Sequence, residues 1–170
     1  MKTLIRTLLL LSLIVWLGAE IFFPVVAQVT FSSLAGDPAG THAAGQIVGS
    51  LLRILHGMGL VSGVVLLALL GLAPAWGIFK PRSQLAAMGL VLFMVGLTAW
   101  SQYGIIPAME RDRVAAGGII DAVPRTHPAR ADFDRLHNLS TKVEGCVLLL
   151  GIVVVALIAN AETAAATQLP

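Results

Sequence analysis

Four mostly apolar runs, near residues 4–27, 49–72, 85–107 and 136–159, leave this chain few ways to fold. A helix needs about 20 mostly apolar residues to cross a bilayer core of about 30 Å, and every run meets that length. Backbone polar groups in lipid must be satisfied within the segment, so runs of this kind become helices. Charged residues make up 12% of the 170 residues and hydrophobic ones 57%, whereas soluble domains are about 25% charged. The chain is therefore read as an all-α integral membrane protein. It is expected to form an up-down bundle of four transmembrane helices, one domain over residues 1–170, with a polar loop near 108–134.

The connections carry turn chemistry. "SSLAGDPAGTHAAG" has Asp37-Pro38 and offers Thr41 as an N-cap. "APAWGIFKPRSQ" breaks at Pro74 and Pro81. The third loop balances five arginines (Arg111, Arg113, Arg125, Arg130, Arg135) with five acids (Glu110, Asp112, Asp121, Asp132, Asp134). The first run also resembles a signal peptide, with "MKTLIR" as a basic start and "VVA" before Gln28, but its apolar stretch exceeds the usual length of about 7–15 residues. It is read as a retained helix.

Lys2, Arg6, Lys80 and Arg82 share one side of a four-span topology, and the first loop has neither Lys nor Arg. The positive-inside rule then puts both termini in the cytoplasm, in a cytoplasmic (inner) membrane, although the arginines of the third loop argue the other way. The net charge of +2 comes from residues scattered near helix ends, which fits topology and gives no footprint for nucleic acid. Cys146, the single cysteine, stands in an apolar run as a small packing residue. Trp16, Trp76 and Trp100 are read as packing or interfacial-belt residues.

Polar residues interrupt the runs at definite places. His137, Ser140, Thr141 and Glu144 stand at i, i+3, i+4 and i+7, a single helical face, while Lys142 points elsewhere and can snorkel. His56, Gly59 and Gly63 repeat the 0, 3, 7 spacing in the second helix, which suggests two similar hairpins. An up-down order brings Glu20, Arg53, His56, Gln102, Tyr103, Arg135, His137 and Glu144 into one leaflet and leaves the other almost wholly apolar. An unpaired charge in mid-membrane costs at least about 2.5–3.5 kcal/mol, so such residues face the bundle interior and find partners. Arg53 or a histidine is the expected counter-charge for Glu20 and Glu144.

Three readings of this polar leaflet follow. Glu20, Arg53, His56, Gln102, His137, Ser140 and Glu144 can line a pocket that binds or passes a small solute, ion or metal; a metal would use His56, His137 and Glu144. His56 and His137 can be axial ligands of a haem in an electron carrier, although no cofactor is predicted from the sequence itself. The same groups can also only fix helix register in a non-catalytic scaffold or assembly subunit. No phosphate loop, nucleophile elbow or HExxH zinc motif occurs, so no catalytic residue can be named. Four helices enclose a narrow pore, and the small-residue patterns Gly45-xxx-Gly49 and Gly59-xxx-Gly63 on the second helix are the expected surface for a homodimer or a membrane partner.

The segments "VWLGAEIFFPVVAQVTFSSL", "AAGQIVGSLLRILHGMG", "YGIIPAMERDR" and "FDRLHNLSTKVEGCVLLLGIV" together resemble the membrane-domain family of unknown function that includes transmembrane protein 205. The resemblance rests on Trp16 and Gly18 with Phe22, Phe23 and Phe31, on Ala44 and Gly45, on Pro107 closing the third helix, and on Phe133, His137 and Ser140 opening the fourth. It implies a small polytopic protein of four helices. Glu144 departs from the asparagine that many members carry near that position.

Overall fold

The computed structural model describes residues 2–34, 36–78 and 81–166, with the side chains of Trp76 and of 161–166 outside that description. Lys80, used above to orient the chain, also falls outside it. Four long helical rods account for most of the described residues: α1 (Lys2–Leu34), α2 (Pro38–Leu72), α3 (Pro81–Trp100) with its continuation α4 (Ile106–Ala115), and α5 (Pro128–Ala166). Each holds a stretch long and apolar enough to cross a membrane, and the fold is an all-α four-helix bundle. Only 28–33% of the most apolar window of each rod is buried, so the remaining apolar surface is suited to lipid. Around the bundle α1 lies beside α2, α2 beside α3, and α3 beside α5, while a narrower α1–α5 contact closes the ring.

Proline sets much of the local structure. Asp37, not Thr41, caps α2: its Oδ1 accepts the Gly40 N–H at 2.7 Å, with Pro38 in the first turn. Thr41 already lies inside the helix and donates its hydroxyl back to the Asp37 carbonyl at 3.1 Å. At the other end of α2, Pro74 has no N–H for the carbonyl of Leu70. The buried Gln84 side chain of α3 takes that carbonyl instead, at 2.7 Å.

Pro107 does not close the third helix. Ser101–Ile105 widens into a π turn, in which the Ile106 N–H bonds the Ser101 carbonyl, and the rod then runs on to Ala115. The wider register relieves the conflict between the proline ring and the carbonyl four residues earlier. The polar segment expected as a loop near 108–134 is therefore helical at both ends, with irregular chain mainly between Ala116 and His127. Gly117 and Gly118 turn the chain there with φ of 86° and 97°, values that other residues avoid. Arg130 secures the segment, pairing with Asp121 at 2.8 Å and donating to the Ile120 carbonyl at 2.9 Å.

One half of the bundle is closely packed. Leu9 and Leu13 of α1, Leu66 and Leu70 of α2, Val91 and Met94 of α3, and Val154 and Ile158 of α5 are almost fully buried. Near the middle of the apolar stretches the Trp16 indole lies on Gly59 and Gly63 of α2. A Cβ at Gly59 would stand 2.6 Å from Trp16 Nε1, and one at Gly63 would stand 3.0 Å from Trp16 Cζ3 and collide with Val95. This corrects the expected association surface: the Gly59-xxx-Gly63 groove is filled from within the chain. A Cβ at Gly151 of α5 would likewise run into Leu17 of α1 and reach Met94. Trp100, by contrast, is half exposed on the outer surface.

Candidate functional site

The other half of the bundle holds the polar groups. His56, with no exposed surface, reaches across to two other helices. Its Nδ1 lies 3.0 Å from Gln102 Oε1 and its Nε2 lies 2.8 Å from Glu144 Oε1. Ser101 Oγ donates to the same Glu144 oxygen at 3.1 Å. The π turn before Pro107 supplies both Ser101 and Gln102, so the local distortion of the third rod and the polar cluster are one feature. Through His56 and Glu144 the cluster ties α2, the π turn and α5 together.

Glu20 of α1 is 5% exposed and lies within electrostatic reach of Glu144 and His56. The Trp16 indole N–H, one helical turn earlier, approaches its carboxylate without an aligned hydrogen bond, and Glu20 Oε1 has no donor. Glu144 Oε2 is also shielded and without a donor. Glu20, His56 and Glu144 lie about four residues from the midpoints of the runs 4–27, 49–72 and 136–159, which at 1.5 Å per residue puts the cluster about 6 Å from mid-membrane.

A cavity of about 710 Å³ leads from this cluster to the polar end of the bundle. It separates the α1/α2 hairpin from α4 and α5, and its deep end includes Glu20, Glu144 and Leu148. Phe23, Ala27 and Phe31 line it on α1, and Gly45, Gly49 and Leu52 on α2. Ile106, Met109 and Phe133 face them. From Glu20 to Phe31, and from Glu144 to Phe133, is 11 residues, so the cavity is about 16 Å long and runs from the cluster out to the headgroup level of that leaflet. At its inner end the Leu17, Met94 and Gly151 contact closes the interior, and the apolar half beyond is packed.

The sequence-derived candidates separate into two groups. Glu20, His56, Gln102 and Glu144 come together at the deep end with Ser101, which sequence reasoning missed; Pro107, six residues later in an apolar run, was the available signal. Ser140 is buried on the α5 wall. His137, Thr141 and Arg53 line the cavity but are exposed. Among the described residues Arg53 forms no ion pair, and the group paired with Glu144 is His56. His137 instead stacks on Phe133, whose ring also receives the Arg113 guanidinium at 5.6 Å, while Arg113 pairs with Glu110. Tyr103 points outward.

The two histidines consequently do not occupy equivalent places, and the proposed hairpin repeat does not extend to their roles. Both ring nitrogens of His56 already face oxygens, which leaves none for a haem iron. Among the described residues no three His, Cys, Asp or Glu side chains converge as metal ligands.

Four apolar rods with a one-sided cavity define a small polytopic membrane protein. Within that class the chain belongs to the family described as a domain of unknown function (DUF4149), whose model matches residues 11–116. The match takes in Glu20, His56 and Gln102 and stops before α5, which brings Glu144. No curated protein and no solved structure matches the chain.

Proposed function

We propose that this protein binds a small solute in a blind pocket within one leaflet, with Glu20 and Glu144 at the closed end. The observation that carries the reading is the cavity of about 710 Å³ ending on two carboxylates, Glu20 buried and Glu144 half-buried with its Oε2 shielded. That volume falls within the range of about 300–1,000 Å³ typical of small-molecule sites. The packed apolar half favours binding over passage in this conformation. Gly45 and Gly49 support the same reading, since a Cβ at either would meet nothing within 4 Å and the space beside them is open. The finer resemblance to the transmembrane protein 205 group is consistent with this four-helix architecture and adds no ligand.

We place both termini in the cytoplasm on the Lys2, Arg6 and Arg82 distribution, and the cavity then opens on the opposite side. The test is thermal unfolding in phosphatidylcholine nanodiscs with 4-phenylbutanol, 4-phenylbutylamine and 4-phenylbutyrate, compared with Gly49→Trp. A pocket predicts that at least one probe raises the wild-type Tm, since a ligand at 100 times its Kd stabilises by about 2.7 kcal/mol. Gly49→Trp, which fills the cavity, should keep its own Tm and lose the response. No response to any probe, or an equal response in Gly49→Trp, would refute the reading.

A second reading, a device that fixes helix register, is favoured by one observation: the cluster links α2, the π turn and α5 through His56 and Glu144. It does not account for the open volume or for Glu20, whose Oε1 carries no donor.

A further inference from the structure

We propose that the solute taken by this pocket is an amphipathic ammonium ion, an N–H-bearing amine on an apolar body, with its charge held between Glu20 and Glu144. This rests on the pocket reading above and names its ligand class. The deep end presents more unpaired acceptors than donors, with the unpaired Trp16 indole N–H beside Glu20. Both ring nitrogens of His56 face oxygens, Gln102 Oε1 and Glu144 Oε1, and Ser101 spends its proton on the same Glu144 oxygen. Glu20 Oε1 and Glu144 Oε2 are left without donors. Pro24, on the cavity wall, has no N–H for the Glu20 carbonyl, which leaves that carbonyl without its α-helical donor as well.

Charge arithmetic agrees with the acceptor pattern. If His56 donates from both nitrogens, to Gln102 Oε1 and Glu144 Oε1, it is an imidazolium. With both carboxylates ionised, as a bound cation would hold them, one imidazolium and two carboxylates leave a single negative charge at the closed end. A buried net charge in a membrane needs a counter-charge, and a monovalent cation with N–H donors supplies both the charge and the missing hydrogen bonds. Nearer the mouth, Arg113 is taken by Glu110, and Arg130 by Asp121 and Asp134. Arg53, His42 and His137 are at least partly exposed, where solvent screens them.

The shaft specifies the rest of the ligand. Phe23, Ala27, Phe31, Leu52, Met109 and Phe133 give it apolar walls, suited to an aryl or alkyl body lying behind the ammonium. An aminophospholipid would have to carry its headgroup to about 6 Å from mid-membrane while its acyl chains reversed toward the surface. A free amine enters head first with no such reversal.

Binding in phosphatidylcholine nanodiscs, with empty nanodiscs subtracted, tests the assignment with three probes that share one body: 4-phenylbutylamine, 4-phenylbutanol and 4-phenylbutyl-trimethylammonium. The amine is expected to bind at least tenfold more tightly than the alcohol or the quaternary ion, which lacks N–H donors. Glu20→Gln, which keeps the shape and removes the net charge, should weaken the amine at least tenfold and leave the alcohol unchanged. Equal affinity for amine and alcohol, or an unchanged amine affinity in Glu20→Gln, would overturn the ammonium assignment and leave the pocket standing. No binding of any probe, with Gly49→Trp indistinguishable from wild type, would overturn both.

Discussion

Replacing Gly59 by alanine is expected to destabilise the bundle, although alanine is the better helix former. In a helix interior the exchange gains about 0.8–1.0 kcal/mol of propensity. Here the added Cβ would lie 2.6 Å from Trp16 Nε1 and 2.9 Å from Cε2. Those atoms belong to a rigid, fully buried ring, so the indole has to move as a body. Overpacking of this kind costs about 1–3 kcal/mol, and the rigidity of the ring puts this case near the top of that range. The net loss should be about 2 kcal/mol. Gly57, two residues earlier, is exposed and has nothing within 4 Å of a Cβ, so Gly57→Ala should gain up to about 1 kcal/mol. Reversible unfolding in detergent, followed by far-ultraviolet circular dichroism, reads the difference of about 3 kcal/mol between the two variants. In a Trp16→Leu background the loss at Gly59 should largely vanish, the signature of two coupled neighbours. If Gly59→Ala proves as stable as Gly57→Ala, the packing of Trp16 on this glycine stripe is wrong.

Three further outcomes follow from the same geometry. His56→Ala removes the partner of a shielded carboxylate and should lower stability by about 3–5 kcal/mol, whereas His137→Ala, at an exposed stacked ring, should change it by less than about 1 kcal/mol; denaturant or thermal titration of the two variants compares them directly. Pro107→Ala should destabilise, against the gain of about 3 kcal/mol usual when a proline leaves a helix interior, because a regular α register rotates Ser101 and Gln102 away from Glu144 and His56; the same unfolding assay decides it. A reporter fused at the C-terminus should be active only in the cytoplasm, and activity on the far side of the membrane would reverse the orientation.

The span count and the gathering of polar groups into one leaflet were legible because both depend on spacing along a helix. Apolar run length reveals a transmembrane helix, and i, i+3, i+7 spacing reveals a face. The same spacing made His56 and His137 look equivalent. Their difference depends on tertiary neighbours: His56 meets Gln102 and Glu144 across two helix interfaces, while His137 meets Phe133 one turn away on its own helix. Proline was read as a terminator at Pro107, where a π turn absorbs it and carries the helix onward. The glycine pair at 59 and 63 was read correctly as a close-approach surface but given the wrong occupant, since sequence spacing says that something small is needed and not which side chain comes to rest there. The cavity had no sequence signature, because it depends on how far α1/α2 stand from α4 and α5.

Solvent access to the cavity tests the central claim most directly. In a Cys146→Ser background, a cysteine is placed at Gly49 on the cavity wall or at Val61, a lipid-facing position that is 67% exposed in the bundle. Each is then treated in nanodiscs with a charged, membrane-impermeant thiosulfonate. A water-accessible pocket predicts rapid modification of Gly49→Cys and none of Val61→Cys, with 4-phenylbutylamine slowing the first. Equal resistance at both positions would mean that the polar leaflet is closed to solvent and that the cavity does not exist in the membrane.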